Sequence, residues 1–284
     1  MMTVRKNIKL TSGHSIPTVG LGCYELPRNL TKSIVYEACK VGYRHFDTAV
    51  LYQNEFEVGQ GISQWLEEDP VNNKREDIFY TSKLWNSECG YTNAKEAIDR
   101  CLQKVKQLGY IDLLLIHSPL AGPKKRLETW KALQEAVDQG IVKSIGVSNY
   151  GVQHLEQLLS WDELKYKPVV NQIEISPWIM RQELADWCRS HDIAVEAFAP
   201  LTHGFKVEDS ELGRIAANHN VTPVQVLIRW SLQHGNIPLP KTKTISRLKG
   251  NLDVYDFELS EEEIALIDKP DSYDPTDWEC TDAP

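Results

Sequence analysis

Four side chains in the first half of the chain are of types that together could move a proton onto a carbonyl oxygen: Asp47, Tyr52, Lys83 and His117. A free phenol titrates at about 10 and is a poor acid at neutral pH. A nearby ammonium stabilises the phenolate, and a carboxylate pairing that ammonium keeps it charged and in place. Tyr52 then reads as a general acid, Lys83 as its tuner and Asp47 as the lysine's partner. A neutral imidazole at His117 could donate a hydrogen bond to the substrate oxygen and orient it. This set lacks a reductant, so the chemistry calls for a bound hydride carrier.

The elements that must bring these residues together follow a rhythm. Residues 43–47 read as a short buried strand ending on a carboxylate, followed by a loop carrying Tyr52 and a helix over about 55–68. Strand 78–84 precedes a helix over 93–108, strand 111–117 one over 125–139, and strand 142–147 one over 152–160. Strand 169–173 precedes 181–191, strand 194–197 precedes 222–233, and strand 236–238 precedes 246–254. Upstream lies a first buried strand at 19–22 and a helix over 31–41 with Thr31 as its N-cap. Before it, strands 8–10 and 15–19 flank Thr11-Ser12-Gly13-His14 and should form a hairpin that plugs one end of the domain.

Runs such as Ile111-Asp112-Leu113-Leu114-Leu115-Ile116 are apolar on both faces, as a parallel strand covered by helices requires. Eight such units without a Pro-, Gly- or Ser-rich linker predict an α/β fold, a single (β/α)8 TIM barrel domain over residues 1–284 with an N-terminal β-hairpin and a short C-terminal tail. An open doubly wound sheet is the competing architecture; a solenoid is rejected because residues do not repeat from unit to unit. In a barrel the C-terminal strand ends share one mouth, which places Asp47, Tyr52, Lys83 and His117 on one arc of it.

The hydride carrier has no familiar Gly-rich cradle here. Gly20-Leu21-Gly22 is followed by Glu25 where a third glycine of G-x-G-x-x-G belongs, and no G-x-x-x-x-G-K-[ST] occurs. A barrel can instead hold phosphate on a helix N-terminus after its last strands. There stand Pro240-Lys241-Thr242-Lys243-Thr244 and Arg247, cations suited to a dinucleotide with an extra phosphate, which favours NADPH over NADH.

Composition narrows the partners. A net charge of -9 with no basic block longer than Lys124-Lys125-Arg126 argues against nucleic acid or an anionic membrane. The N-terminus leads into no apolar h-region and no apolar run approaches the ~18 residues of a membrane span, so a cytoplasmic protein is expected. The six cysteines, without C-x-x-C or metal-ligand spacing to histidine, are expected to be reduced thiols, with no metal. The expected partner is a small carbonyl compound, the expected state a monomer with a dimer left open. A metal-dependent barrel hydrolase would need an H-x-H pair at a strand end, which the chain lacks. The other alternative is a non-catalytic NADPH-binding, redox-sensing or structural protein on the same barrel.

These residues resemble the aldo-keto reductase family, in a short-loop form like fungal and bacterial members. Residues 43–49, Tyr52, Asn54-Glu55 and Val58-Gly59 look like its first signature, and Lys83-Leu84-Trp85 with residues 113–117 supply the other catalytic positions. The stretches around Gly146-Val147-Ser148-Asn149, Asn171-Gln172, Phe198-Ala199-Pro200-Leu201, and Lys241-Thr242 with Arg247 and Asn251 resemble its cofactor segments. The resemblance implies an NADPH-dependent barrel reductase of aldehydes and ketones. It implies that Ser148, Asn149 and Gln172 hold the nicotinamide carboxamide, that Phe198 stacks under that ring, and that Lys241, Thr242 and Arg247 take the 2′-phosphate. Phe198 stands where the family usually has tyrosine, Gly250 where many members touch adenine with an acid or amide, and Ser118 and Ser176-Pro177 also depart from common patterns. Tyr24, Trp85, Trp178 and Trp278 are candidates for an apolar substrate mouth open to sugar, aliphatic, aromatic, diketone or keto-ester carbonyls.

Overall fold

The computed structural model describes residues 6–284. The stretch read for a targeting segment lies largely outside them, in residues 1–5. The chain opens with an antiparallel hairpin, β1 (Asn7–Lys9) and β2 (Ser15–Pro17). Eight parallel strands follow in a single sheet whose spatial order is the order of the chain. They are β3 (Leu21–Gly22), β4 (His45–Asp47), β5 (Phe79–Leu84), β6 (Ile111–Ile116), β7 (Val142–Ser148), β8 (Val170–Glu174), β9 (Ala194–Phe198) and β10 (Ile237–Pro238). Between them run α1 (Arg28–Val41), α2 (Glu55–Glu68), α3 (Tyr91–Lys104), α4 (Pro123–Asp138), α5 (Val152–Leu159), α6 (Gln182–Ser190), α7 (Ser210–His219) and α8 (Pro223–Gln233). After β10 come α9 (Ile245–Leu252) and α10 (Glu261–Ile267).

The sheet closes on itself where β3 meets β10. Gly20 donates its N–H to the Pro238 carbonyl and Gly22 donates to that of Pro240, both at 3.1 Å. A Cβ on Gly22 would stand 2.8 Å from the Leu239 carbonyl oxygen, so the two backbones approach this closely only because the side chain is missing. The Gly20-Leu21-Gly22 run therefore serves the seam of a (β/α)8 barrel. The helices pack outside it around an apolar core that includes Trp130, Trp230, Tyr43 and Phe46.

The hairpin covers the N-terminal end of the barrel as expected. Leu10 and Ile16 pack there with Phe79, Leu113, Leu115, Val169, Val170 and Ile237, a second apolar cluster separate from the helix–sheet core. Among the described residues no helix is long and apolar enough to cross a membrane. All six cysteines are free and buried.

Element boundaries differ from the sequence reading in informative ways. α1 starts at Arg28 behind Pro27, and Thr31 is not its cap; its Oγ1 donates back to the Pro27 carbonyl at 3.0 Å. Proline pre-sets the dihedral at the helix entrance, which explains a start without a side-chain cap. The strand expected over 43–47 pairs only over His45–Asp47. α7 is an additional helix in the β9–α8 connection, capped by Asp209, whose carboxylate accepts from the Glu211 and Leu212 N–H groups. α10 carries a Ser260–Glu263 capping box.

Candidate active site at the C-terminal mouth

The four side chains singled out for proton chemistry come together. Asp47 ends β4, Tyr52 sits in the 3-10 turn Val50–Tyr52 that follows, Lys83 lies in β5, and His117 directly follows β6. The turn is held by Asn54, whose Nδ2 donates to the Cys23 carbonyl at 2.8 Å while its Oδ1 accepts from Thr48 Oγ1 at 2.6 Å. Glu55 binds Ser82 Oγ through Oε1 at 2.6 Å and pairs with Lys104 through Oε2, tying α2 to β5 and α3. Asn54-Glu55 is thus the clamp that sets the height of Tyr52 above the strands.

Lys83 is wholly buried and its Nζ meets four oxygens: Asp47 Oδ1 at 2.7 Å, Asp47 Oδ2 at 2.8 Å, the Thr48 carbonyl at 3.0 Å and the Tyr52 hydroxyl at 3.4 Å. An ammonium has three protons, so the longest of these contacts, to Tyr52, is the weakest. Burial works against the lysine's charge, yet Asp47 and Tyr52 outweigh it and hold the group above its ordinary range, cationic at any working pH. Burial raises Asp47 against the pull of the same lysine.

For Tyr52 the balance is the reverse of the simple expectation. Lys83 does lower it, but burial is the larger effect and pushes the phenol up to about 12. The hydroxyl therefore keeps its proton firmly until an acceptor of rising basicity faces it. His117 is held well below its ordinary value by burial first and by Lys83 second, which makes it a neutral imidazole. Its Nδ1 is buried without a partner, leaving Nε2 as the nitrogen turned to the pocket. The Tyr52 ring stands edge-on to His117 with centroids 5.7 Å apart and leans on Tyr24 at 5.0 Å.

These groups line a pocket of about 270 Å³ at the C-terminal ends of the strands. Ser148, Asn149, Gln172, Phe198, Ala199, Leu201, Lys241 and Arg247 line it too, as do Tyr24 and Trp278. Lys83 lies beneath its floor. Three of the polar residues interlock: Ser148 Oγ donates to the Gln172 carbonyl at 2.8 Å, Asn149 Nδ2 donates to the His117 carbonyl at 3.0 Å, and Gln172 Nε2 donates to Asp47 Oδ2 at 2.9 Å. Asn149 takes a left-handed conformation, φ +61°, which turns it in towards His117.

Besides Lys83, four sequence candidates fall outside the lining. Thr242 is buried with its hydroxyl bound to the Thr244 N–H at 3.1 Å, and Asn251 is buried on the inner face of α9. Trp85 stands behind His117, edge-on at 5.0 Å, and meets Trp278 at 5.8 Å. Trp178 packs on the core with Lys206 over its ring. Its backbone carbonyl accepts from the Asp274 N–H of the tail at 3.0 Å.

Several lining residues were not foreseen, among them Leu51, His203, Val207 and Asp277. His203 Nε2 meets Asp277 Oδ2 at 3.0 Å, joining the β9–α7 connection to the tail across the pocket. The tail is held there by Glu174, whose carboxylate accepts from Thr276 N–H at 2.7 Å, Thr276 Oγ1 at 2.6 Å and Asp277 N–H at 3.2 Å. Partners so far apart in the chain leave no local pattern. Glu196, not singled out from the sequence, sits in the barrel interior against Gln172; its signal is a carboxylate inside the apolar run Ala194-Val195-Glu196-Ala197-Phe198. Among the described residues no cluster of His, Cys, Asp and Glu is arranged to hold a metal.

A closed parallel barrel with a phenol, an ammonium and a neutral imidazole gathered at its C-terminal mouth has the form of a barrel enzyme rather than a bare scaffold. The comparisons sharpen that class. The family model described as "Aldo/keto reductase family" matches residues 18–271, and the chain belongs to that family of oxidoreductases. An uncharacterized oxidoreductase of Saccharomyces cerevisiae is 65% identical over 281 residues, covering 99% of this chain and 100% of the relative. A glyoxal reductase of Bacillus subtilis is 41% identical over 267 residues, covering 94% and 93%. Among solved structures, an aldo/keto reductase from Brucella melitensis superposes with a TM-score of 0.85 at 40% identity, over 92% of this chain and 97% of that one.

Proposed function

We propose that this oxidoreductase reduces aldehydes and ketones to alcohols with NADPH, Tyr52 supplying the proton. The observation that carries the reading is the Tyr52 hydroxyl at the pocket wall, 3.4 Å from a buried, carboxylate-paired Lys83 and edge-on to a neutral His117. A reduced nicotinamide held beside Ser148, Asn149, Gln172 and Phe198 would supply the hydride for the carbonyl carbon. His117 Nε2 and the Tyr52 hydroxyl hold the carbonyl oxygen, and Tyr52 gives up its proton as negative charge grows on that oxygen. Lys83 stabilises the phenolate left behind, and Asp47 keeps Lys83 charged.

The donor set supports a nicotinamide dinucleotide. Gln172 presents an acceptor oxygen, Phe198 a flat ring, and α9 begins without a side-chain cap between the pocket-lining Lys241 and Arg247. Arg247 has no carboxylate partner among the described residues, which leaves it free for a phosphate. Six free, buried thiols suit the reducing cytoplasm.

The test is NADPH consumption with a panel of sugar, aliphatic, aromatic and dicarbonyl aldehydes, beside tryptophan quenching by NADPH. The expected outcome is turnover by the wild type and, in Tyr52→Phe, retained quenching with a rate lower by about 10²–10⁴. Quenching without turnover of any aldehyde by the wild type would leave a binding protein, and near wild-type rates in Tyr52→Phe would remove Tyr52 as the acid.

A further inference from the structure

The barrel interior holds a second carboxylate that the proposed reaction does not use. Glu196 lies in the middle of β9, wholly buried, in register beside Gln172 of β8. Its Oε2 accepts from Gln172 Nε2 at 2.7 Å, and its Oε1 faces His45 Nε2 at 3.3 Å. His45, also wholly buried, has its Nδ1 3.1 Å from the Pro17 carbonyl at the end of the hairpin. Gly20 leaves room for that ring, since a Cβ there would lie 2.7 Å from His45 Nδ1.

The protons in this chain can be counted. A carbonyl oxygen only accepts, so His45 Nδ1 carries a hydrogen. Nε2 and Glu196 Oε1 lie 3.3 Å apart and neither has a hydrogen-bond partner elsewhere or a well-aligned bond to the other, so two bare lone pairs would face each other in a buried site unless a proton lies between them. The His45–Glu196 pair therefore holds that proton and is neutral as a whole. The interior then balances one anion, Asp47, against one cation, Lys83. A charged Glu196 beside neutral His45 would add a second anion, one amide away from Asp47, with no cation to match it.

Gln172 is fixed by this arrangement. Both hydrogens of its Nε2 are taken, one by Asp47 Oδ2 at 2.9 Å and one by Glu196 Oε2. Flipping the amide would set its oxygen against two carboxylate oxygens. Gln172 Oε1 has no partner among the described residues and belongs to a residue lining the pocket. We propose that His45 and Glu196 are positioning residues that lock the Gln172 amide so that its oxygen, an acceptor only, faces the pocket and selects a ligand group with N–H donors. Resting on the reading of the pocket given above, that group is the carboxamide of the nicotinamide, and the lock sets which face of the ring meets the substrate.

The test separates the two ends of the cofactor. Glu196→Leu, Glu196→Gln and wild type are titrated with NADPH and with 2′,5′-ADP, which lacks the nicotinamide, by tryptophan quenching and by displacement of NADPH. Each is also assayed with NADPH deuterated on either face of C4. In Glu196→Leu, NADPH affinity should fall at least ~10-fold with 2′,5′-ADP affinity unchanged, and the strict choice of one deuterium should relax. Glu196→Gln keeps an acceptor for Gln172 and a donor for His45, and should recover most of the loss. Equal loss for both ligands, or NADPH affinity and face selectivity unchanged in Glu196→Leu, would overturn the proposal. If Glu196→Leu does not fold, 15N NMR of the wild-type histidines decides: His45 Nδ1 should stay protonated with a proton shared at Nε2, and an unprotonated Nδ1 overturns the lock. Wild-type protein that ignores NADPH would overturn the pocket reading itself, and this proposal with it.

Discussion

At the hairpin end of the barrel, β5, β8 and β10 begin with Phe79, Val170 and Ile237, which pack under Ile16 and Leu10, with the His45 ring edge-on to Phe79 at 5.2 Å. Beneath the mouth, the same sheet carries Lys83, Asp47, Gln172 and Glu196, all buried and hydrogen-bonded in a chain. One end is closed by shape and by removing apolar surface from water, contributing to stability in proportion to area. The other is closed by matched charges that stabilise the fold little and rest on every partner being present. The larger groove of about 990 Å³ lies at the hairpin side, bordered by Lys6, Arg44 and Asp112, yet it contains none of Asp47, Tyr52, Lys83 and His117. Size alone does not mark a site; the arrangement of buried charge does.

The sharpest way to break this contrast is Lys83→Met. It leaves the Asp47 carboxylate buried without a cation and should cost about 3–5 kcal/mol in denaturant unfolding, with carbonyl reduction lost. Adding Asp47→Leu should restore most of that stability and none of the activity, since what destabilises is the orphaned charge. A double variant as unstable as Lys83→Met would mean that the pair contributes packing rather than charge balance. At the plug, Ile16→Ala should cost about 2–5 kcal/mol while the folded fraction keeps its NADPH affinity and turnover. A parallel loss of turnover per folded molecule would show that the ends are coupled through His45.

A smaller effect is expected at the rim. Replacing Lys241 and Arg247 together with uncharged residues should weaken NADPH by about 10–100-fold and NADH much less, measured by quenching. Equal losses for both would mean that these cations do not read the 2′-phosphate. The smallest effect is on acid stability. His117 is neutral in the fold, below its ordinary value of 6.5, so the unfolded chain binds a proton there first as pH falls. Its contribution is complete above about pH 6.5 and is lost below it, by up to about 1.4 kcal/mol per pH unit. His117→Gln should flatten that part of the stability profile, whereas Ile16→Ala should shift the whole profile without changing its slope.

Much of this was readable from local pattern. The alternation of apolar strands with amphipathic helices announces a parallel barrel, because a strand covered on both faces must be apolar on both. Asp47, Tyr52, Lys83 and His117 could be placed on one arc because successive strands of such a barrel are neighbours in space as well as in sequence, as the observed strand order confirms. The start of α1 and the extra α7 were missed, the first because Thr31 imitates a cap inside the helix, the second because eight helices already satisfied the repeat.

By itself, then, the order of residues determined the barrel, its hairpin and the identity of the groups at its mouth, since periodicity and strand ends are local properties of the chain. Only the tertiary structure decided how strongly Tyr52 holds its proton, because burial outweighs the lysine that sequence reasoning paired with it. It alone brought Glu196 beside Gln172 and His45, and joined His203 to Asp277 at the pocket. Desolvation and contacts between distant segments depend on what the whole chain excludes from water, and no stretch of sequence carries that quantity.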